Sequence, residues 1–378
     1  MTHQATMKFG NSIRISPRLR LAAKVAMREV LGTKKGERVL IITNPVGDVQ
    51  MISMALYDAA FDLGAEPSLI FQPVKTQMDF ADDAVIHAIR SQPDIVISTS
   101  HLKLGKDRFG MERHYKLGKK SVDHIFNFLQ ASKKIRAFWS PSVTIAMFEE
   151  TVPINYKRLA ENSRKLKRVF DAADEAHITS RLGADLVLGL RGRKAFTDDG
   201  NFSKPGRGGN LPAGEMYISP ELGRGEGTLV FDGCISSDRG VILIKEPIRA
   251  TVKKNLITKI TGGAEAKRLA ETLERARKNT RKFASEGRIA GKDLPKYLEN
   301  VCNLGELGIG LNEKARIVGN MLEDEKVFKT CHVAIGSNYD DDAKALIHLD
   351  GLVKNPTIEV KDRKGRRTLV LKDGSIVI

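Results

Sequence analysis

Two short segments near the C-terminus carry side chains of the types that bind metal ions. His348 and Asp350 are two residues apart in the segment HLD, and alternate side chains of a β-strand leave on the same face. His332 lies in a second apolar run, and Tyr339 follows it after a glycine. A histidine in an apolar strand can equally be a hydrogen-bonded core residue. The HxD pair favours a metal-binding role.

Two glutamates extend this candidate set. Each follows a glycine in a mostly uncharged stretch, Glu215 in LPAGE and Glu306 in NLGELGIG. A carboxylate in such surroundings costs free energy unless it is paired or binds a cation. These glutamates could instead cap turns or pair with arginine. Together with the histidines and the aspartate, they would supply enough nitrogen and oxygen ligands for two divalent metals.

The first half of the chain alternates predicted strands and helices. We predict helices near 18–31, 49–63 and 82–90, and strands near 38–43, 68–71, 95–98 and 135–139. This alternation is typical of a parallel sheet covered on both faces. The segment after the first strand, 43–48, contains neither GxGxxG nor a P-loop. A scaffolding or dimerising role is therefore favoured over nucleotide binding.

The pattern changes after about residue 184, where short strand-like runs begin. They include 186–190, 228–231 and 241–244, and they resume from 332 to 378. The glycine-rich segment 201–210 is predicted to be a flexible pocket rim, and 264–286 a charged outer helix. The predicted fold class is α/β, with an N-terminal parallel-sheet domain, 1–183, followed by a mixed α+β metal-binding catalytic domain, 184–378.

Composition restricts the possible partners. The chain has 378 residues and a net charge of +16, from 62 basic and 46 acidic side chains. The basic residues are scattered and no nucleic-acid-binding signature occurs, so we expect a basic surface and no nucleic-acid partner despite this charge. No run approaches the ~20 apolar residues of a membrane span, and Met1–Gly10 has no apolar signal segment. The three cysteines form no CxxC motif. We expect a cytoplasmic protein that does not bind membranes.

Four segments resemble the aminopeptidase T family of two-metal leucyl aminopeptidases. They are NLPAGEMYISP (210–220), NLGELGIGLNEKARIVGNMLEDEK (303–326), HVAIGSNY (332–339) and IHLDG (347–351). The resemblance covers the C-terminal half, whereas the N-terminal half shares only its α/β character. It implies a homodimer with two Zn, Co or Mn ions that removes N-terminal residues from peptides. The metal ligands that it implies are Glu215, Glu306, His332, Tyr339, His348 and Asp350.

The expected function is therefore that of a metallo-aminopeptidase, a hydrolase acting on peptide substrates. Two metals that share a water molecule lower its pKa from 15.7 towards ~7. Glu306 is the candidate to take the proton of this water and pass it to the leaving amine. Tyr339 would bind metal or donate to the developing oxyanion. Glu306 and Tyr339 are thus the predicted catalytic residues.

Two other functions stay open. His332, His348 and Asp350 form the two-histidine, one-carboxylate set that holds non-haem Fe(II) in oxygenases, and some ring-cleaving dihydroxypyridine dioxygenases resemble the same family in sequence. That alternative leaves Glu215, Glu306 and Tyr339 without a metal role. The second alternative is a basic binding protein that retains a relic metal site. The physiological metal and the preferred substrate do not follow from the sequence.

Overall fold

The structure is a computed structural model that describes residues 8–76, 78–118 and 120–378. Residues 1–7, which form most of the segment considered above for a signal sequence, lie outside the described residues.

The described chain contains helices and short strands throughout. The α-helices are α1 Pro17–Val25, α2 Gly47–Asp62, α3 Asp83–Arg90, α4 Arg108–Glu112, α5 Ile125–Ala131, α6 Ile145–Thr151, α7 Tyr156–Asp171, α8 Ala264–Ser285, α9 Leu294–Asn300 and α10 Met321–Asp324. Short 3-10 helices span Phe9–Asn11 and Gly291–Asp293, and a π-helical turn at Ala26–Val30 follows α1.

The strands of the first half are β1 Arg38–Thr43, β2 Glu66–Phe71, β3 Ile95–Thr99, β4 Tyr115–Leu117, β5 Lys120–Val122 and β6 Arg136–Trp139. Those that follow are β7 Ala173–Thr179, β8 Asp185–Gly189, β9 Phe196–Asp198, β10 Gly208–Asn210, β11 Glu215–Ile218, β12 Gly225–Phe231, β13 Cys234–Ser237 and β14 Gly240–Leu243. The last are β15 Ile248–Lys253, β16 Leu256–Thr261, β17 Leu304–Gly310, β18 Thr330–Gly336, β19 His348–Lys354, β20 Thr357–Asp362, β21 Arg367–Lys372 and β22 Ser375–Ile376.

The predicted parallel sheet is confirmed in the first half. Its strand order is β10-β6-β3-β1-β2, and β1 pairs in parallel with both β2 and β3. Apolar side chains of β1, β3, α3 and α5 pack together in one buried cluster, which is why these runs read as continuously apolar in the sequence. The sequence signals at the start of α1 are also confirmed, since Ser16 caps the helix by accepting from Leu19 N at 3.0 Å and Pro17 follows it.

One local prediction in this region is wrong. The glycine-rich segment 201–210 was expected to be a flexible rim, but Gly208–Asn210 forms β10, which pairs in parallel with β6. A Cβ at Gly208 would lie 2.7 Å from the carbonyl oxygen of Ala137. The glycine is therefore required by close approach to a neighbouring backbone rather than by flexibility.

Two further sheets are built mainly from the second half of the chain. One has the order β14-β13-β19-β18-β17-β11-β9, and the other β16-β15-β12-β8-β7-β20-β21-β22. Helix α8 lies along this part of the sequence, and it buries a stripe that includes Leu269, Leu273 and Ala276 while its other faces are charged. The α/β fold class with a parallel sheet and additional sheets is thus confirmed.

The described chain divides into two compact units. The first comprises the described residues up to Ala160 together with Asp198–Ala213, and the second comprises Glu161–Thr197 and Gly214–Ile378. The division into an N-terminal α/β domain, 1–183, and a C-terminal metal-binding catalytic domain, 184–378, stays a prediction. Within the described part of the chain, no helix combines the length and apolar character that crossing a membrane requires.

Candidate metal centre

Four neighbouring antiparallel strands present the candidate ligands on one face of their sheet. Glu306 on β17 stands opposite Ala334 on β18, which in turn stands opposite Asp350 on β19. Residues opposite each other share a face, and so do residues two apart along a strand. His332 therefore joins the face of Ala334, and His348 joins that of Asp350. Glu215 on β11 stands opposite Gly310, four residues from Glu306, and reaches the same face.

Glycine makes the space that these side chains occupy. Gly308 stands directly opposite His332 in the β17–β18 ladder. A Cβ on Gly308 would lie 2.7 Å from His332 Cδ2 and closer still to Nε2. The imidazole consequently lies across the glycine position. Glu306, Gly308 and Gly310 alternate in the motif GELGIG and share one face of the strand. The motif thus provides one candidate ligand and two positions without a side chain on that face.

The carboxylate of Glu306 lies between the two histidines. Its Oε1 is 2.9 Å from His332 Nε2, and its Oε2 is 3.2 Å from His348 Nε2. His348 Nε2 is also 3.2 Å from Asp350 Oδ1, and His332 Nε2 is 3.5 Å from Glu215 Oε2. Both imidazoles therefore direct Nε2 at buried carboxylates.

These side chains form two compact groups that share Glu306. One contains Glu215, Glu306 and His332, and the other contains Glu306, His348 and Asp350, with the ligand atoms of each group within 4.8 Å of one another. Among the described residues, the buried Nδ1 of His332 lacks a hydrogen-bond partner. A buried carboxylate whose two oxygens face the Nε2 atoms of two imidazoles suits a divalent cation. The residues present therefore fit a metal ion.

The two histidines differ in the contact that their second ring nitrogen, Nδ1, makes. His348 Nδ1 lies 2.9 Å from the carbonyl oxygen of Ser337 and can only donate to it. This hydrogen bond selects the tautomer whose Nε2 lone pair is free to bind a metal, which is the usual arrangement of a ligating histidine. Within the part of the chain that the structure describes, the Nδ1 of His332 has no such partner.

A buried lysine completes the centre, and sequence reasoning missed it. Lys326 is fully buried, and its Nζ donates to Glu215 Oε1 at 2.6 Å and to Glu325 Oε1. Its acidic neighbours in LEDEK suggest an exposed helix end, and indeed α10 ends just before it. The one available signal was its position at the end of the segment that resembles a metallopeptidase family.

The electrostatics of the metal-free centre follow from four carboxylates in a buried space. Burial favours the neutral imidazole of His332, but the hydrogen bond and charge of Glu306 outweigh burial and raise the pKa of His332 to about 9. Burial likewise opposes ionisation of Asp350, yet the charge of His348 holds the pKa of Asp350 at about 2. For Glu325, burial and the charges of Glu215 and Asp350 prevail over the attraction of Lys326 and raise its pKa to about 8. The centre thus holds extra protons where a cation would otherwise balance the charge.

Tyr339 lies beside this centre at the end of a row of aromatic side chains. Its ring centroid is 5.3 Å from that of His348 and 5.0 Å from that of Tyr217, and Tyr217 stacks on Phe196 at 5.5 Å. Tyr339 is 53% exposed and Phe196 is 41% exposed. The structure thus places all six predicted ligands in one region, five of them on one sheet face. Metal coordination by each remains a prediction.

The comparisons with known proteins point to a dioxygenase family. A family model described as NicX, 2,5-dihydroxypyridine 5,6-dioxygenase, matches residues 145–330, just under half of the chain. A curated 2,5-dihydroxypyridine 5,6-dioxygenase of Pseudomonas putida is 32% identical over 108 residues, which cover 27% of this chain and 29% of that relative. The family match includes β11 and β17 but ends before His332.

Two solved structures share the fold along almost the whole chain. The 2,5-dihydroxypyridine dioxygenase from Pseudomonas putida KT2440 has a TM-score of 0.69 and 17% identity, and covers 95% of this chain and 96% of its own. AmpT from Thermus thermophilus has a TM-score of 0.64 and 17% identity, with 96% and 99% covered. The fold is therefore the one that this dioxygenase and this aminopeptidase T share.

The prediction of an aminopeptidase is wrong, and so is the description of the chain as a peptide hydrolase, exopeptidase or metalloprotease. The family match and the curated relative both indicate a dioxygenase instead. The error has a physical origin, because one set of imidazoles and carboxylates accepts several divalent metals and serves more than one reaction. The resemblance to aminopeptidase T correctly indicated the fold.

Proposed function

We propose that this protein is an Fe(II)-dependent dioxygenase that opens the ring of a hydroxylated pyridine of the 2,5-dihydroxypyridine kind. The observation that carries the proposal is the match of residues 145–330 to the 2,5-dihydroxypyridine 5,6-dioxygenase family. The chain also contains the donor set of two histidines and one carboxylate that suits non-haem iron in such enzymes.

His332, His348 and Asp350 would hold the iron. The compact group around His348 and Asp350 is completed by Glu306, which a hydrogen bond links to His332. An iron ion bound by these residues would supply the activation of O2, both atoms of which enter the product of a dioxygenase without an external reductant. The Ser337 carbonyl would keep His348 in the ligating tautomer.

Glu306 would act as the base for a substrate hydroxyl group. Burial opposes its ionisation, but the hydrogen bond from His332 and the charges of His332 and His348 lower the pKa of Glu306 below its ordinary value. The ionised form is thus favoured in the metal-free centre, and in the enzyme this carboxylate would accept a proton from a hydroxylated ring held beside it. This role differs from the water-activating role expected of it in a peptidase.

The aromatic row supports a flat substrate. Phe196, Tyr217 and Tyr339 form a row of ring contacts that leads to His348. Aromatic rings stack with offset or tilted geometry at centroid separations of about 4.5–7 Å. A pyridine ring can thus lie against Tyr339 while its hydroxyl groups face Glu306 and the metal ligands.

Metal analysis combined with oxygen uptake tests this proposal. Protein prepared without oxygen and chelator is expected to hold a single iron per chain and to consume O2 only when 2,5-dihydroxypyridine is added. His348→Ala should lose both iron and oxygen uptake. His177→Ala is the matched control, because His177 lies on β7 in the same unit and pairs with Asp185 at the surface. Two zinc, cobalt or manganese ions per chain without ring-dependent oxygen uptake would contradict the proposal.

The assembly and the location of the protein are part of the proposal. We retain a cytoplasmic homodimer that binds neither membranes nor nucleic acid. Light scattering on the full chain tests the dimer, and a lack of salt-dependent retention on immobilised DNA tests the expected absence of nucleic-acid binding.

A further inference from the structure

The first unit contains a cavity at the carboxyl ends of two parallel strands. It encloses about 450 Å3, within the range of about 300–1,000 Å3 that is typical of small-molecule sites. Ser98 and Ser100 enter it from the end of β3, and Trp139 and Pro141 from the end of β6. Ligands of open α/β sheets bind at this edge of the strands. The cavity therefore occupies a position where such folds hold small molecules.

An asparagine occupies the end of the crevice between β1 and β3. The strand order of the sheet reverses between these two strands. Asn44 donates to the carbonyl oxygens of Gln72 and Pro73 at 2.9 and 3.1 Å and accepts from His101 N at 2.7 Å. These contacts use both amide protons and one acceptor site of the amide oxygen. The open cavity lies next to this point, between the ends of β3 and β6.

One wall of the cavity is aromatic and apolar. Trp139 is half-buried, and its ring meets Phe126 edge-to-face at a centroid separation of 5.7 Å. Leu104 and Met111 also line the space, and Met111 is 45% exposed. Flat rings and a flexible thioether favour a planar, polarisable ligand.

Two lysines supply positive charge to the same cavity. Lys103 and Lys106 line it, and neither forms an ion pair with a carboxylate of the described residues, although the charge of Lys106 helps to lower the pKa of Asp79. Two other basic residues of this unit do form ion pairs. Lys75 Nζ lies 2.6 Å from Asp82 Oδ1, and Arg108 Nη1 lies 3.8 Å from Asp83 Oδ2.

Asp107 and Asp123 also line the cavity and formally balance the charge of the two lysines, but among the described residues neither carboxylate forms an ion pair with Lys103 or Lys106. Asp107 accepts from Gly110 N, Ile125 N and Tyr115 Oη at 3.0, 2.9 and 2.9 Å, so its oxygens serve the local fold. Asp123 is exposed. His124 accepts from Phe126 N through Nδ1 at 3.1 Å, which identifies a neutral ring, and burial lowers its pKa.

A buried pair of hydroxyl groups adds hydrogen-bonding capacity. Ser98 and Ser100 are 4% and 2% exposed, and their hydroxyl oxygens are 2.9 Å apart. Either hydroxyl can donate to the other, which uses one of their two protons. The second proton is available to an acceptor on a ligand.

We propose that this cavity binds a planar aromatic carboxylate. The ring would lie against Trp139, the carboxylate would be held by Lys103 and Lys106, and a ring substituent or ring nitrogen would accept from the serine pair. The site would belong to the first unit and would not depend on the metal centre of the second. Its ligand class is an aryl or pyridyl monoacid.

Tryptophan fluorescence offers a direct test, because Trp139 is the single tryptophan of the chain. Benzoate and pyridine-3-carboxylate are titrated into the full-length protein, with benzamide as the uncharged probe and inorganic phosphate as the competing anion. Titration calorimetry on the same samples guards against an optical artefact. Lys103→Ala and Lys106→Ala are compared with Lys116→Ala, which removes an exposed lysine of β4.

The expected result is a saturable change in fluorescence with the acids and none with benzamide or phosphate. The Kd should rise about tenfold in Lys103→Ala and in Lys106→Ala, equivalent to about 1.4 kcal/mol, and stay unchanged in Lys116→Ala and His348→Ala. The proposal is overturned if the acids do not bind, if benzamide or phosphate binds equally well, or if both cavity lysine variants keep full affinity. Loss of binding in His348→Ala alone would assign the acids to the metal centre and would also overturn it.

Discussion

Replacing Gly308 with alanine is expected to displace the imidazole of His332 and thereby empty the metal centre. The added Cβ would lie 2.7 Å from His332 Cδ2 and nearer to Nε2, well inside the ordinary contact distance. The residue opposite Gly308 in the ladder is His332 itself, so the strand has no freedom to relieve the overlap by a change of partner. The imidazole has to rotate away from Glu306.

The magnitude follows from two losses in the metal-free protein. The hydrogen bond of 2.9 Å between His332 Nε2 and Glu306 Oε1 involves charged groups, and such bonds contribute about 1.5–3 kcal/mol. Overpacking of a buried site costs about 1–3 kcal/mol more. The free energy of unfolding should thus fall by about 2.5–6 kcal/mol. Metal affinity should fall by more than the ~10–100-fold typical of a lost outer-shell partner.

Urea unfolding and metal analysis measure these effects, with Gly291→Ala as the control. Gly291 has no atom within 4 Å of an added Cβ, and its substitution should stay within about 0.5 kcal/mol of wild type. In a His332→Ala background the cost of Gly308→Ala should largely disappear, because the clashing ring is gone. An undiminished cost in that background, or normal metal content in Gly308→Ala, would refute the steric reasoning.

Three further outcomes are expected. Lys326→Met should lower the stability of the metal-free protein by about 3–5 kcal/mol, because it leaves the buried side chains of Glu215 and Glu325 without their cationic partner. Lys372→Met, at an exposed position of β21, should be neutral in urea unfolding. Chelated protein should lose stability as the pH rises from 6.5 through about 9, because folded His332 keeps a proton that the unfolded chain releases. Glu325, with its pKa raised from 4.5 to about 8, acts in the same direction; a urea midpoint that is constant or rises over this interval would contradict the assignment. Tyr339→Phe should keep the metal content of the wild type, since the ring contacts with Tyr217 and His348 need no hydroxyl, and loss of metal on elemental analysis would make the hydroxyl a ligand.

Much of the secondary structure could be predicted from local pattern. The run Arg38–Thr43 was predicted as a strand and is β1, and 264–286 was predicted as a helix and is α8, Ala264–Ser285. Such predictions succeed where apolar residues recur with one clear period. The segment 201–210 failed because glycine is equally compatible with a mobile loop and with a strand pressed against a neighbouring backbone.

The candidate site could be predicted in part. The two-residue spacing of His348 and Asp350 indicated a shared face, and their side chains meet at 3.2 Å. Lys326 could not be found in this way, because its acidic neighbours make it resemble a solvated residue, and only the folded chain shows that it is fully buried. The cavity at Trp139 was equally hidden, since its walls come from segments before and after β6.

The sequence by itself determined which side chains share a strand face, because alternation is a local property of the extended backbone. It also determined the supply of imidazoles and carboxylates for a metal. The tertiary structure decided that β19, β18, β17 and β11 are neighbours in that order, which places Glu306 between His332 and His348. Strand order depends on pairing between segments far apart in the chain and on which faces can be buried together. Neither property is written in the spacing of any single motif.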